Sequence, residues 1–284
     1  MTFIQENPGA EPAAFDFWRK PAAVNWPAGR GYGTLVTGLP LMIAFLTLWE
    51  AAPRLGWMNP IFFPPFSVVL SALWDLIASG TMAKHIGISL ERAGLGFALV
   101  VTVAIPLGVL MGCYQAFERA TDFLVQTLRN TSQFALLPVF VLLLGIGEAS
   151  KIAITFYAVV FFLLVNTIMG VKSVDPLLLK AAKSMGTSDW DLFRKVIFPS
   201  AIPSIVAGTR LGVKASLFSV ITAEMLAARS GIGYLIQNSE LMLKAPDMYA
   251  AILTLTVVGL LVNYGLVWIE KQATHWKADE GMPH

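Results

Sequence analysis

Five long stretches of the sequence carry no charged side chain, and they limit the possible folds more than any other feature. They cover residues 31–49, 93–117, 130–147, 152–171 and 248–269. A helix needs about 20 mostly apolar residues to cross the hydrocarbon layer of a membrane, and each stretch is close to that length. A sixth segment, residues 201–228, is equally apolar but contains charged residues. The pattern predicts an all-α membrane protein with about six transmembrane helices.

The composition supports a membrane protein and argues against several functions. Of the 284 residues, 56% are hydrophobic and 13% are charged, whereas soluble domains carry about 25% charged residues. The net charge of +2 is too small to indicate a nucleic acid partner. Three histidines and one cysteine, Cys113, show no spacing typical of a catalytic or metal site, so we expect no enzyme, metal or cofactor. The phosphate-binding pattern G-x-x-x-x-G-K-[ST] is also missing, so ATP-driven work requires a separate subunit.

The distribution of basic residues predicts the orientation in the membrane. With the N-terminus inside, twelve Lys and Arg residues fall on the cytoplasmic side and five on the outer side. The positive-inside rule therefore favours two cytoplasmic termini. We expect residues 1–30 to be a flexible cytoplasmic tail, 31–271 the membrane domain and 272–284 a second tail. The polar segment 115–130 is predicted to be an amphipathic cytoplasmic helix.

A polar hairpin at residues 172–200 interrupts the apolar runs on the predicted cytoplasmic side. Asp175 is a suitable helix cap, and Pro176 stands at the first helical position, where proline is tolerated. Gly186 fits the left-handed conformation that ends a helix. Ser188 can cap a second helix. The sequence therefore predicts two capped helices joined by a glycine turn.

The first helix of this hairpin has an apolar face that includes Ala181 and Ala182. Small residues allow another surface to approach closely, so docking of a partner protein is the favoured interpretation. Packing on the ends of the chain's own spans is the alternative. A helix-turn-helix for DNA fits the glycine turn, but the tether between two membrane spans argues against it.

The hairpin and several motifs outside it resemble the permease subunits of binding-protein-dependent ABC importers. Ala181, Ala182, Gly186 and the pair Phe198-Pro199 resemble the "EAA" loop of those permeases. Further segments resemble the nitrate/sulfonate/taurine branch and occur in the expected order: FFPPFSVVLSALWDL, HIGISLERAGLGFAL, LLPVFVLLLGIGEASKI, SVDPLLLKAAKSMG, IPSIVAGTRLG and AEMLAARSGIGYLI. The resemblance implies the fold of a type I ABC importer permease (MetI-like).

This resemblance also implies partners and a location. The chain would work in the bacterial inner membrane with ABC ATPase subunits, a second permease copy as a homodimer, and an extracytoplasmic binding protein. The solute would be small and anionic: a sulfonate, taurine, nitrate or a related organic acid. The residues implied to contact the ATPase are Lys180, Ala181, Ala182, Gly186, Asp189, Phe193 and Pro199. Lys180 departs from the family, which has an acidic residue at that position.

Polar residues within the apolar segments are candidates for the transport pathway. They are Lys214, Arg210, Asn166, Gln133 and Glu224. Charges at membrane depth usually face a protein interior or an aqueous path. The alternatives are that Arg210 reaches the cytoplasmic surface and that Gln133 and Asn166 form hydrogen bonds between helices. Glu224, with Glu148, lies near the predicted outer end, where it could gate the path or contact the binding protein.

Two other classes of function compete with an ABC permease. An ion-coupled secondary transporter requires carboxylates at membrane depth or inverted repeats, and the sequence shows neither clearly. A membrane-embedded enzyme requires a catalytic or metal-ligand spacing, which is missing. The permease interpretation is therefore preferred.

Overall fold

The computed structural model describes residues 32–273, with side chains described for residues 38–269. The predicted tail 1–30 and nearly all of 272–284 lie outside the described residues. Within residues 32–273 the regular elements are helices, with no strand. They are α1 Tyr32–Arg54, α2 Phe66–Ala78, α3 Thr81–Cys113, α4 Gln115–Asn130, α5 Gln133–Leu144, α6 Glu148–Lys172, α7 Pro176–Ser184, α8 Asp189–Leu192, α9 Phe198–Ala227, α10 Ile232–Leu241 and α11 Ala245–Ala273.

The chain divides into two compact units, Met1–Trp49 and Glu50–His284. The described part of the first unit is the N-terminal part of α1, which covers the first predicted span. The second unit contains the other helices and all the sites considered below.

Four helical stretches of the described chain are long and apolar enough to cross a membrane. They are Thr81–Cys113, Glu148–Lys172, Asp189–Leu241 and Ala245–Ile269. The helices α4 and α5 pass the same test only as a pair. The all-helical membrane fold predicted from the sequence is confirmed.

The third predicted span, over residues 130–147, is not one long helix in the structure. The helix there, α5, has only 12 residues, about 18 Å of length against a hydrocarbon core of about 30 Å. It is bent by 97° from α4, and the two helices together form one broken span or a re-entrant loop. The break occurs because Thr131 and Ser132 have extended backbones between the two helices. Gly145, with φ of 80°, then ends α5.

Helix α6 lies at the centre of the second unit, between α3 and α9. Glycines of α3 contact α6 in the same chain direction, since Gly96 lies at Thr155 and Gly108 at Thr167. Helix α9 runs the opposite way, since Gly208 lies at Asn166 and Gly212 at Val159. Such small residues allow close helix–helix approach in a membrane. A buried aliphatic core fills the contact, formed by residues such as Val100, Ala104, Leu163, Leu164 and Ala201.

The predicted hairpin at residues 172–200 is confirmed. Asp175 Oδ1 accepts a hydrogen bond of 2.8 Å from the Leu177 amide and caps α7. Gly186 has φ of 77°. Ser188 Oγ accepts a bond of 3.2 Å from the Asp191 amide and caps α8. From α8 the chain continues through a π-helical segment, Phe193–Ile197, directly into α9.

Candidate functional site

Three sites lie along α6, and their positions are given relative to this helix. With 25 residues, α6 is about 37 Å long. A buried cluster of charges lies at its N-terminal end, a cavity lies beside its middle, and the 172–200 hairpin follows its C-terminal end. Each site contains residues that the sequence singled out.

The predicted ATPase-contact residues are mostly on the surface of the 172–200 hairpin. Among them, Lys180, Ala181, Gly186, Asp189 and Pro199 are exposed, Phe193 is half-buried and Ala182 is buried. The predicted alanine face is therefore divided, because Ala182 is buried while Ala181 is exposed. In the turn after this helix, the Thr187 amide donates to the Ala182 carbonyl.

The hairpin also exposes large apolar side chains. The most exposed are Leu177, Leu178, Met185 and Trp190, with exposed fractions of 75%, 55%, 78% and 68%. Met185 and Trp190 flank the glycine turn, one on each side. Apolar patches of this kind mark interaction surfaces or lipid contacts. The surface lies beyond the C-terminal end of α6, with basic residues such as Lys180 and Lys183 beside it.

A cavity of about 540 Å³ lies between the α4–α5 break and α6; we name it the α4–α6 cavity. It brings together two of the predicted pathway residues, Gln133 and Asn166. The break contributes Arg129, Thr131, Ser132, Gln133 and Phe134, and α6 contributes Tyr157, Ala158, Phe161, Phe162, Val165 and Asn166. Asn166 also donates a bond of 2.7 Å to the Phe162 carbonyl of its own helix.

Arg210 and Lys214 do not line this cavity. They lie on α9 and are partly exposed. Gly208 contacts Asn166 and Gly212 contacts Val159, so Arg210, between these two glycines, is level with the middle of α6. Because a helix turns by about 100° per residue, both basic residues lie roughly opposite the glycine face that packs on α6.

A cluster of four charged residues, which we name the Arg92 cluster, lies at the N-terminal end of α6. It consists of Arg92, Glu148, Lys151 and Glu224. The Arg92 side chain is 4% exposed and that of Glu224 is 0% exposed. Arg92 Nη1 donates to Glu224 over 2.7 Å, and Arg92 Nη2 donates to Glu148 over 2.6 Å. The cluster connects α3, α6 and α9.

Every donor of the Arg92 guanidinium is used. Arg92 Nε also donates to Glu148, while Ser230 accepts from Nη1 through its carbonyl and from Nη2 through its hydroxyl. These contacts account for the five N–H groups that arginine possesses. Lys151 Nζ donates to the Gly147 carbonyl over 3.0 Å and lies 3.7 Å from Glu148. Two buried cations are thus matched by two carboxylates.

The carboxylate of Glu224 also fixes the loop that leads into α10. It accepts bonds from the Ser89 hydroxyl at 2.8 Å and from the Gly233 amide at 3.0 Å. The loop is closed further by His85, whose Nδ1 accepts from the Gly231 amide. A Cβ added at Gly231 would lie 2.1 Å from the Glu224 carboxyl carbon, so only glycine fits this close approach.

Sequence reasoning identified Glu224 and Glu148 but missed their partners. His85, Ser89 and Arg92 are spaced by four and three residues, which places them on one face of α3. That spacing was the available signal, within the motif HIGISLERAGLGFAL. Among the described residues no group of histidine, cysteine and carboxylate side chains is arranged to hold a metal ion.

Comparison with known proteins assigns the chain to a family. The family model "Binding-protein-dependent transport system inner membrane component" matches residues 104–275. The putative aliphatic sulfonates transport permease protein SsuC of Escherichia coli strain K12 is 33% identical over 236 residues, covering 83% of this chain and 90% of SsuC. The taurine transport system permease protein TauC of the same strain is 29% identical, covering 89% of this chain and 93% of TauC.

A solved structure shares the fold. A chain of the MetNI methionine ABC transporter in an inward-facing conformation aligns with a TM-score of 0.56 and 18% identity, covering 76% of this chain and 99% of that chain. At this identity the likeness concerns the fold alone, and it agrees with the MetI-like fold expected from the sequence. The chain belongs to the family of inner-membrane components of binding-protein-dependent transport systems, the permeases of ABC importers.

Proposed function

We propose that this chain is the permease subunit of an ATP-driven importer for a small organic anion of the sulfonate or taurine type. The observation that carries the proposal is family membership together with relatives named for sulfonate and taurine transport. Basic residues level with the middle of α6, such as Arg210, suit an anionic solute. A binding protein delivers the solute from outside, and the chain itself hydrolyses no ATP.

The 172–200 hairpin is proposed as the ATPase-docking element. Two capped helices hold Met185 and Trp190 on the surface on either side of the glycine turn. A partner that covers these side chains removes apolar area from water, worth about 25 cal/mol per Å². The family has an acidic residue at the position of Lys180. The ATPase surface that meets Lys180 therefore differs in charge from the surface that meets the acidic residue in other family members. The hairpin and both termini lie in the cytoplasm of a bacterium in this proposal.

A second copy of the chain is proposed to cover the face of α9 that carries Arg210 and Lys214. Both residues are partly exposed at the depth of the α6 midpoint, where contact of a charge with lipid is costly. Phe218, one turn beyond Lys214, is 63% exposed and extends the same face. A homodimer places two such faces around one shared aqueous path. Glu224 is proposed to act on this path indirectly, through the Arg92 cluster that holds it.

Reconstitution in proteoliposomes tests the function. The chain is combined with its ATPase and binding protein, and uptake of radiolabelled taurine and methanesulfonate is measured with and without ATP. We expect uptake that requires both ATP and the binding protein. Uptake that continues without ATP and stops when the proton gradient is dissipated would instead establish the ion-coupled secondary transporter.

Two hairpin variants test the docking element. Trp190→Ala is expected to weaken co-purification of the ATPase by at least about tenfold, because a buried tryptophan is a common interface hot spot. Trp74→Ala in α2 is the matched control, since Trp74 is 70% exposed and lies outside the hairpin. Lys180→Glu is expected to lower ATP-driven uptake with the cognate ATPase. Equal ATPase recovery for both tryptophan variants, or full uptake by Lys180→Glu, would refute the corresponding part of the proposal.

A further inference from the structure

We propose that the α4–α6 cavity is a binding site for a small organic anion, with the Arg129 guanidinium as its cationic partner. The proposal rests on the proposed function and deepens it, since it locates the solute site and names its chemistry. Arg129 is grouped with the cytoplasmic basic residues by sequence reasoning alone. The structure gives it a different position.

Arg129 lies at the depth of the middle of α6. Two long side chains of α6 bridge to α4 in antiparallel order: Glu118, near the start of α4, accepts a bond of 2.6 Å from Lys172, and the Leu128 carbonyl, near its end, accepts one of 2.6 Å from Tyr157. Lys172 is the last residue of α6, whereas Tyr157 is three residues from its midpoint at residue 160. The last turn of α4, which carries Arg129, therefore lies beside the middle of the helix and not at its end.

The charge of Arg129 is open to the cavity. Its side chain is exposed and lines the cavity. Within residues 38–269, no carboxylate forms an ion pair with it. A charged residue at membrane depth usually pairs with another charge or faces a water-filled path. Since the described chain supplies no counter-charge, an anion in the cavity is the partner that the position favours.

The break between α4 and α5 supports a ligand site at this depth. Non-helical backbone is tolerated within a membrane only where it is buried in protein or lines a water-filled cavity. Thr131 and Ser132 form that non-helical segment and line the α4–α6 cavity. In transporters, discontinuous helices near the midplane typically form the substrate site. The broken third span thus has a physical role in this proposal.

The lining defines the class of ligand. A volume of about 540 Å³ falls in the range of about 300–1,000 Å³ for small-molecule sites. Phe134, Phe161 and Phe162 offer apolar walls for an organic group. Gln133 and Asn166 supply amide donors, and Asn166 retains one N–H after its bond to Phe162. No residue of this lining is acidic, so the site favours an anion such as an alkanesulfonate, which arginine can bind through two parallel hydrogen bonds.

The test measures direct binding of radiolabelled methanesulfonate to the complex of permease and ATPase in nanodiscs, without binding protein. We expect saturable binding to the wild type and binding at least about tenfold weaker to Arg129→Gln, since hydrogen bonds to charged groups are among the strong ones. Arg119→Gln is the matched control, because Arg119 is an exposed arginine of the same helix and does not line the cavity. Equal binding by the two variants would overturn the proposal.

A second variant tests the proposed anion site if Arg129→Gln does not assemble with the ATPase. Asn166→Asp preserves the size of the side chain and places a negative charge in the cavity, so it is expected to weaken methanesulfonate binding by a similar factor. Unchanged binding by this variant would overturn the proposal. Wild-type uptake separates the two levels of inference. A wild type without ATP-dependent sulfonate uptake refutes the proposed function, whereas active uptake with no saturable binding to the nanodisc complex refutes the cavity site alone.

Discussion

Removal of the Arg92 side chain is expected to destabilise the protein strongly, and the structure allows the size of the effect to be worked out. Arg92→Met keeps a long apolar side chain but deletes all five donors. Glu148 loses a partner at little cost, because it is 61% exposed and still lies 3.7 Å from Lys151. Glu224, by contrast, is 0% exposed and is left without a cation. An uncompensated buried charge costs about 3–5 kcal/mol, so the loss falls almost wholly on Glu224.

The assay is thermal unfolding of the purified permease–ATPase complex in detergent. The Tm that is compared is that of the permease subunit. At about 2–4 °C per kcal/mol for a large domain, Arg92→Met is expected to lower the Tm by about 6–20 °C. Lys84→Met, which removes an exposed cation of the same helix, is expected to change stability by less than about 0.5 kcal/mol. A Tm for Arg92→Met that equals the Tm of this control would refute the burial argument.

A double-mutant cycle separates the pair from the rest of the cluster. Glu224→Gln keeps the shape of the side chain and leaves Arg92 its contacts with Glu148. Adding Glu224→Gln to Arg92→Met removes the buried uncompensated charge. The double variant is therefore expected to be more stable than the sum of the single effects predicts, by about 0.5–3 kcal/mol. Strict additivity would show that the two side chains do not interact in the membrane.

Two glycine substitutions test other parts of the fold. Gly108→Ala is expected to lower the free energy of unfolding by about 1–3 kcal/mol, because its Cβ would lie 2.7 Å from Thr167 Cβ. Gly94→Ala is the control, since no atom lies within 4 Å of the added Cβ. Equal Tm values for the two variants would contradict the close packing of α3 on α6. Gly186→Ala is expected to raise amide hydrogen exchange in the 172–200 hairpin, because φ of 77° costs a residue with a side chain about 1–2 kcal/mol. Unchanged exchange rates would show that the turn tolerates another conformation.

Local sequence patterns were sufficient for the 172–200 hairpin. The caps at Asp175 and Ser188 and the turn at Gly186 each depend on residues within a few positions, and all three are confirmed. The segments 152–171 and 248–269 likewise lie within long helices, and most of 93–117 and 201–228 does too, because a membrane-crossing helix needs a long apolar stretch. Packing inside the hairpin was not accessible in this way. Ala182 is buried and Ala181 is exposed, although the two are adjacent in the sequence.

The third span shows where hydrophobic length is misleading. Residues 130–147 carry no charge, yet the helix occupies only 12 residues of the stretch. An apolar composition shows that a segment tolerates lipid, but it does not show that the segment is straight. At the end of α4, the Leu128 carbonyl accepts a hydrogen bond from Tyr157 of α6. This contact joins residues 29 positions apart, beyond the reach of a periodicity argument.

The two arginines show most clearly what the fold adds to the sequence. Arg92 and Arg129 each lie directly before an uncharged apolar stretch of the sequence. In the structure, Arg92 is surrounded by acceptors that use all its donors, so its charge serves to hold three helices and a loop together. Arg129 faces a cavity without a counter-charge among the described residues. The charge of Arg92 therefore stabilises the fold, whereas the charge of Arg129 is available to the proposed ligand, and only long-range contacts distinguish the two residues.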